Sequence, residues 1–430
     1  MTHQDNLQYI SGLQRIGIRL GLAPVSRLLE RLNNPQRAYR TILVGGTNGK
    51  GSICAMTASM LFHNGYRVGL YTSPHLIDLG ERIRVDGRMI QVDELDACIE
   101  AVRREVREDV TYFEFVTALA FLHFFRCNVD VAVVEVGMGG RLDATNVVRP
   151  DVSVISNISL EHREYLGRRL SDIAWEKGGI IKDRGLCITA ARQGKVLDIL
   201  EGICRDRGAR LWRVGRDIKV RRNEDGTFSY RGVEKTYSHL TCPLAGRHQL
   251  ENAGVALGTM EAMAACGLSV DDHALAMGLK KAQWPGRLEV LGRSPVLLVD
   301  GAHNPAGAAA LCRALKEEFT YDRLILVFGV LGDKDSRSML KQLAPLADVL
   351  ILTKPATDRA KPPEELLLVA VRYHDRIELT QTTGEALKLA LTKAGAQDLI
   401  CCTGSLYLVG EIRQAVASGL YCLNEGVIDA

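Results

Sequence analysis

The sequence carries no excess of either charge. Its 54 lysines and arginines stand against 51 aspartates and glutamates, a formal net charge of +3 over 430 residues. That balance argues against a dedicated nucleic-acid binder, which shows a basic stripe. The local runs Arg103-Arg104 and Arg221-Arg222 are expected to be solvated faces. No apolar run reaches the roughly 18 residues needed to cross a bilayer. The opening residues, Met1 to Gln8, are polar, so neither a membrane span nor an export segment is expected. No Cys-x-x-Cys pair and no zinc-type spacing occurs. The eleven cysteines, an odd number, are scattered from Cys54 to Cys422. Adjacent Cys401-Cys402 lie in an apolar run that reads as a buried strand. Reduced core thiols in a cytoplasm are expected, not a disulfide framework. There is no low-complexity tract, no short-period repeat and no heptad seam, and a monomer is expected.

What is present is ordinary for a soluble globular chain: 47% hydrophobic and 24% charged residues, enough length for two or three domains. Short apolar runs alternate with helix-period segments. Thr41–Val44, Val68–Tyr71, Val131–Val136 and Val152–Ser156 read as strands. Ser52–Asn64 reads as a helix ended by Gly65, and Phe113–Arg126 as a helix buried almost all round. This alternation implies a parallel sheet with helices on both faces. Between Leu211 and Leu240, strand-like pieces flank Asp225-Gly226, a hairpin signal, and form a small antiparallel excursion. A second series begins near Val296, with strands at Val296–Val299, Leu324–Phe328, Val349–Leu352 and Leu399–Cys402. The turn chemistry of Trp284-Pro285-Gly286 marks the boundary. The expected fold is α/β: an N-terminal phosphate-loop, doubly wound domain over 1–286, then a smaller Rossmann-like α/β domain over 287–430.

The strongest local signal is Gly45-Gly46-Thr47-Asn48-Gly49-Lys50-Gly51-Ser52, after a strand and before a helix. Glycines let backbone N–H groups wrap a phosphate, and the helix start adds positive potential. Lys50 can reach the β- and γ-phosphates, and the Ser52 hydroxyl can approach a Mg²⁺ ion. The Walker A spacing is not met: Val44 stands where its first glycine belongs, and Gly51 follows the lysine. The alternative is a Gly-rich turn without a ligand. Glu135 ends a buried strand at the sheet edge where parallel sheets present ligands, and a hard ion wants such oxygens. It could equally face water. The Gly137–Asn146 segment is a second Gly-rich turn, either a ligand approach or punctuation. His162 follows another strand. Lys177, on spacing alone, reads as a surface residue, because an ammonium beside Mg²⁺ would be repelled. In the second domain Asp300 could bond a ribose and His303 a phosphate, while Asn304 and Pro305 read as the cap and first position of a helix.

Together these segments spell a family. Leu20 to Leu22, Gly46–Ser52, Thr72-Ser73-Pro74-His75-Leu76, Glu81-Arg82-Ile83-Arg84-Val85, Thr111–Glu114, Glu135–Asn146, Glu176–Ile180, Trp284–Arg287, Asp300–Pro305 and Gly404–Tyr407 occur in order. The chain resembles the folylpolyglutamate synthase/dihydrofolate synthase family of the Mur ligase superfamily over nearly its whole length. A phosphate loop with Gly after Lys is this family's form. The resemblance implies that Thr47, Asn48, Gly49, Lys50, Gly51 and Ser52 hold ATP phosphates, and that Asn252, Arg287 and Asp300 contact the nucleotide, which would sit between the domains. It implies Ser73, Glu135 and His162 as Mg²⁺ ligands, and Lys177 as a lysine carried as a carbamate, which turns the repelling ammonium into an oxygen ligand. Thr111, Phe113, Leu142 and Asp143 would line the pterin-side pocket, where an aromatic ring can stack on the heterocycle. The chain departs from the family pattern at Glu161 (Asp in the family), Gly178 (Ala) and Arg19 (Asp in some bifunctional members).

The implied reaction is ATP-dependent ligation of L-glutamate to dihydropteroate and to the γ-carboxylate of folates through an acyl phosphate. Lys50, Lys177 and His303 are the catalytic candidates. The alternatives are a monofunctional folylpolyglutamate synthase, another Mur-type ligase, or a nucleotide switch. For a guanine switch, no Asn/Thr-Lys-x-Asp segment stands in a suitable place. No nucleic-acid or membrane partner is expected.

Overall fold

The computed structural model describes residues 2–419, so Cys422 lies outside the described residues. The chain divides into two compact units. The first takes residues up to 75, 79–243 and 249–283; the second takes 76–78, 244–248 and the chain from 284 onward.

The first unit is built on an eight-stranded sheet. Its strands are β1 (Arg40–Gly45), β2 (Val68–Tyr71), β3 (Ile83–Val85), β4 (Arg88–Met89), β5 (Val131–Glu135), β6 (Val152–Ile155), β7 (Leu186–Thr189) and β8 (Arg210–Arg213). They lie in the order β4-β3-β2-β5-β1-β6-β7-β8. The six from β2 to β8 are parallel, as expected. β3 and β4 extend one edge antiparallel, which was not expected. They are too short for a period to show, and their pairing is made by the neighbouring strand. Leu211–Arg213, expected within the antiparallel excursion, instead belongs to Arg210–Arg213, the parallel edge strand of the main sheet. The helices His3–Gly12 and Ala23–Arg31 were not anticipated either.

Ile42, Leu43, Val44 and Val131 to Val134 are fully buried, as strands covered on both faces must be. Phe115, Phe121 and Phe124 of the helix Tyr112–Arg126 share one core cluster with Leu43, Ala132, Val134 and Ile155. Thr111 starts that helix with a capping box. Its Oγ1 accepts the Glu114 N–H at 3.2 Å, and Glu114 Oε2 accepts the Thr111 N–H at 2.7 Å. The helix expected at Ser52–Asn64 runs Lys50–His63, and Gly65 lies just past its end. Arg103, Arg104, Arg221 and Arg222 are exposed, as expected of solvated charge runs.

The antiparallel excursion is a three-stranded sheet of β9 (Lys219–Arg222), β10 (Phe228–Arg231) and β11 (Thr236–Leu240). Asp225-Gly226 sits in the connection from β9 to β10, where Asp225 Oδ1 accepts the Thr227 N–H at 3.0 Å. The β10–β11 turn is pinned by Glu261 of the helix Arg247–Ala265. This carboxylate accepts the Val233 N–H at 3.0 Å and the Lys235 N–H at 2.6 Å.

The second unit has a six-stranded sheet of β12 (Glu289–Arg293), β13 (Val296–Asp300), β14 (Leu324–Phe328), β15 (Val349–Leu352), β16 (Ile377–Leu379) and β17 (Leu399–Thr403). The order is β12-β13-β17-β14-β15-β16. The four expected strands form its parallel centre. Antiparallel β12 and short β16 at the edges were not expected. Cys401 and Cys402 are both fully buried but belong to core clusters on opposite faces, as alternation along a strand requires. The helix Pro305–Glu317 is capped by Asn304, whose Oδ1 accepts the Gly307 N–H at 2.8 Å. The cysteines among the described residues are free thiols, six of them buried. Cys266 is exposed and departs from the core expectation.

Replacing Glu261 with Ala leaves two turn N–H groups without their charged acceptor, at a cost of about 2–3 kcal/mol. Denaturant unfolding should show that loss, and hydrogen exchange should quicken across β10 and β11 but not β1. Unchanged exchange there would mean the hairpin holds itself.

Candidate active site

β1 ends at Gly45 and the next helix begins at Lys50, so the phosphate turn is short and tightly bent. Gly46 has φ 128° and Gly49 φ 86°, conformations that side chains disfavour. A Cβ on Gly46 would lie 1.9 Å from Ser156 Oγ, and one on Gly49 2.4 Å from Asn252 Oδ1. The residues after β6 prop the turn. Asn157 accepts the Thr47 N–H on its carbonyl at 2.8 Å and the Asn48 N–H on Oδ1 at 3.0 Å. Ser156 Oγ donates to the Asn48 carbonyl at 2.6 Å, and the Ser159 N–H to Thr47 Oγ1 at 3.1 Å. Thr47 and Asn48 thus spend their N–H groups inside the protein. The first-turn N–H groups of Lys50, Gly51 and Ser52 have no intrahelical acceptor and can serve an anion. Lys50 Nζ folds back onto the Gly46 and Thr47 carbonyls, each at 3.1 Å.

The parallel register carries a carboxylate to the same level. Val44 of β1 pairs with Glu135 of β5 and with Val154 of β6. Glu135 is 5% exposed, which overturns the reading of a strand end facing water. Its Oε2 accepts the Ser73 N–H at 3.1 Å. The buried Cys54 thiol reports both charges: burial pushes its pKa up, Glu135 adds to that and Lys50 opposes it. His162, in left-handed backbone at φ 44°, caps the one-turn helix Arg163–Leu166.

Lys177 corrects the surface reading drawn from spacing. It is 2% exposed. Its Nζ lies 2.7 Å from Glu161 Oε1 and donates to the Gly46 carbonyl at 2.8 Å. Burial lowers its pKa against the pull of Glu161. Burial would raise the Glu161 carboxyl, but Lys177 and Lys50 outweigh it and hold it at about 2. This ammonium therefore sheds its proton more readily than a surface lysine.

The Phe113 ring lies against Gly137, two residues past Glu135. A Cβ there would be 2.5 Å from Phe113 Cζ. Asp143 is buried, which raises its pKa, and its oxygens brace the second Gly-rich turn. Oδ2 accepts the Met138 N–H at 2.8 Å and Oδ1 the Thr145 N–H at 3.0 Å. Leu142 is half-buried, and its carbonyl accepts the Gly21 N–H at 3.4 Å. Thr111 serves its capping box. Arg19 lies 3.5 Å from the same Glu114 Oε2 that completes the box. Asn252 is buried and donates from Nδ2 to Gln249 Oε1 at 2.9 Å.

The remaining candidates belong to the second unit. Asp300 accepts the Ala302 N–H at 2.9 Å and the Leu288 N–H at 3.0 Å. The Arg287 guanidinium packs against Gly301. His303 Nδ1 donates to the Gly301 carbonyl at 2.8 Å, so a second N–H for a phosphate oxygen requires the imidazolium.

Ser156 and Asn157 were missed as positioning residues. Their signal was a Ser-Asn pair directly after a parallel strand. Glu161 stood out in sequence only as a departure. Among the described residues, no three His, Cys, Asp or Glu side chains gather to hold an ion by themselves. One buried carboxylate beside a serine suits Mg²⁺ instead, which keeps waters and takes its other oxygens from substrate phosphates.

Residues 44–260 match the Mur ligase middle domain and residues 286–406 the Mur ligase, glutamate ligase domain. The chain is 34% identical to the dihydrofolate synthase/folylpolyglutamate synthase of Bacillus subtilis, over 96% of this chain and 99% of that protein. It belongs to the dihydrofolate synthase/folylpolyglutamate synthase family. The folylpolyglutamate synthase of Mycobacterium tuberculosis, solved with ADP, superposes with TM-score 0.89 at 33% identity, covering 96% of this chain and 99% of that one. The bifunctional Yersinia pestis enzyme, solved with AMPPNP and a Mn ion, does so with TM-score 0.88 at 28% identity, covering 97% and 98%. As a member of this family the chain is an ATP-dependent ligase.

Within this family geometry, Asn157→Ala removes two side-chain bonds to Asn48. The turn should loosen and ADP should bind about tenfold more weakly, with the melting temperature little changed. Calorimetric titration would show it. Wild-type affinity would mean that the turn holds its shape without Asn157.

Proposed function

We propose that the chain joins L-glutamate to 7,8-dihydropteroate and to the γ-carboxylate of reduced folates. The observation that carries this reading is one arrangement in the first unit. Phe113, an aromatic face for a heterocycle, lies on Gly137, two residues from Glu135, and Glu135 is level with the phosphate turn. An acid acceptor and a nucleoside triphosphate can therefore meet there.

The acceptor carboxylate attacks the γ-phosphorus of ATP, ADP leaves, and an acyl phosphate forms. The amine of glutamate then attacks the acyl carbon, phosphate leaves, and an amide remains. Phosphoryl transfer needs positioning and charge neutralisation above all. In this reading Thr47 to Ser52 and Asn252 seat the nucleotide, with the first-turn N–H groups on its phosphates. Lys50 swings from its two carbonyls to the transferred group. Thr111, Phe113, Leu142 and Asp143 shape the acceptor pocket. Arg287 and Asp300 are assigned to the nucleotide, and His303, as imidazolium, to the phosphoryl group. Ser73, Glu135 and His162 would hold Mg²⁺, which supplies neutralisation of the charge on the phosphate oxygens.

Lys177 is assigned as a carbamate. A neutral amine adds to CO₂ and releases a proton, so burial that depresses the ammonium pKa favours the reaction. The product carries negative charge beside Glu161, and a divalent ion offsets that repulsion. The domain division 1–286 and 287–430 belongs to the same reading, supported by the two family matches. So does a monomer in the cytoplasm, where the buried free thiols support a reducing compartment.

Phosphate release from ATP with Mg²⁺ and L-glutamate should be stimulated by both dihydropteroate and a reduced folate, each product gaining one glutamyl unit. Lys50→Ala should abolish it with the fold intact. Release with folate alone would make the enzyme a chain-extending synthase, and release with neither would remove the folate assignment. Separately, protein equilibrated with ¹³C-bicarbonate should show a carbamate resonance by NMR, stronger at pH 8.5 than at 6.5 and absent from Lys177→Arg. An active enzyme without that resonance at either pH would overturn the carbamate.

A further inference from the structure

Arg82 is a buried cation that no carboxylate neutralises among the described residues. It is 8% exposed. Its carbonyl accepts the Thr72 N–H at 3.0 Å, which fixes its backbone beside the end of β2. Its Nε donates to His75 Nδ1 at 2.9 Å, and its guanidinium carbon lies 5.3 Å from the centroid of the Tyr112 ring. These contacts are neutral: an imidazole nitrogen that accepts, and an aromatic face. The other guanidinium N–H groups have no acceptor among the described residues. A guanidinium cannot shed its charge, and a buried charge without a counterion is costly. The fold holds this one in a fork from Nε and from the ring below, with its terminal nitrogens uncommitted.

The place of this cation is as informative as its isolation. Thr72, which it bonds, precedes Ser73, whose N–H reaches Glu135 at 3.1 Å. The charges of Arg82 and Asp143 both act on the buried Tyr71 phenol. The Tyr71 ring lies 6.1 Å from Phe113, ring centre to ring centre. Arg82 is thus tied on one hand to Thr72, the neighbour of Ser73, and on the other to the Tyr112 ring, the neighbour of Phe113. The sequence segment Glu81–Val85 helped to mark the family, yet no step above uses it.

We propose that Arg82 binds the carboxylate of the acceptor acid, the group that takes the phosphoryl. The inference rests on the ligase reading above. A planar fork can hold a carboxylate by two parallel bonds, presenting one oxygen in a fixed direction, and such orientation is where a phosphoryl-transfer enzyme gains rate. His75 and Tyr112 act through Arg82, as positioning residues that set the plane of the fork.

The test compares an acid with its neutral twin. Equilibrium binding of 7,8-dihydropteroate and of its carboxamide is measured on the wild-type protein, Arg82→Gln and Arg82→Lys, with ADP affinity as a control. The wild type should prefer the acid by about 10- to 100-fold, the weight of a charge-assisted bond. Arg82→Gln should lose that preference while keeping ADP affinity within twofold, and Arg82→Lys should keep part of it. If Arg82→Gln does not fold, Arg82→Lys carries the comparison. Equal loss of acid and amide binding would make Arg82 a packing residue and overturn the proposal, as would an unchanged preference. Failure of the ligase reading shows differently, as a wild type that adds no glutamate to either acceptor.

Discussion

The parallel register of β1 with β5 and β6 is the constraint on which the rest depends. Because parallel strands run the same way, their carboxyl ends finish at one level, and whatever follows them meets there. Val44 stands opposite Glu135 and Val154. The phosphate turn, the buried carboxylate and the Ser156–Asn157 props are therefore three consequences of one pairing. A slip of one residue would turn Glu135 to the opposite face of the sheet. The full burial of Ile42 to Val44 and Val131 to Val134 resists that slip, since each apolar side chain lost from the core costs about 1.5–3 kcal/mol.

Charge is handled at this sheet edge by burial and pairing together. Lys177 is closed in with Glu161 and bonds the carbonyl of Gly46, so the phosphate turn is tied at both ends: by residues after β6 and by an ammonium from another helix. Lys50 rests on carbonyls of the same turn. Two cations close to a short Gly-rich turn give it an electrostatic purpose that apolar packing alone would not require. Arg82 continues the same logic as a buried positive group with no carboxylate partner among the described residues. The glycines matter here through space as much as through torsion. At Gly46 and Gly137 a methyl group would strike Ser156 and Phe113.

Much of the fold was legible in the sequence where local chemistry decides the outcome. The central strands show as continuous apolar runs. The helix after the turn shows as a 3.6-residue period, and Gly65 marks its end. Asn304-Pro305 reads as a cap because the Asn oxygen and the proline ring satisfy a helix start whatever the surroundings. What escaped were elements made by their neighbours. β3, β4, β12 and β16 are five residues or fewer and exist by pairing with a strand already present. Leu211–Arg213 looked like part of the antiparallel excursion, and only the position of β7 makes it an edge of the main sheet.

The same division holds at the site. The sequence by itself determined the phosphate turn, the strand-end Glu135, the capped helices and, through its ordered motifs, the ligase family, because each depends on residues adjacent along the chain. Tertiary structure alone decided that Lys177 is buried, that Glu161 is its partner, that Asn157 holds the turn, and that Arg82 is buried against His75 and Tyr112. Burial and pairing are properties of residues distant in sequence. Glu161 and Lys177 are brought to 2.7 Å by the packing of separate segments, and no spacing rule connects Gly46 to Lys177. A motif names the groups that can do chemistry. The fold decides which charges they face and how much water reaches them, and so sets their protonation and their partners.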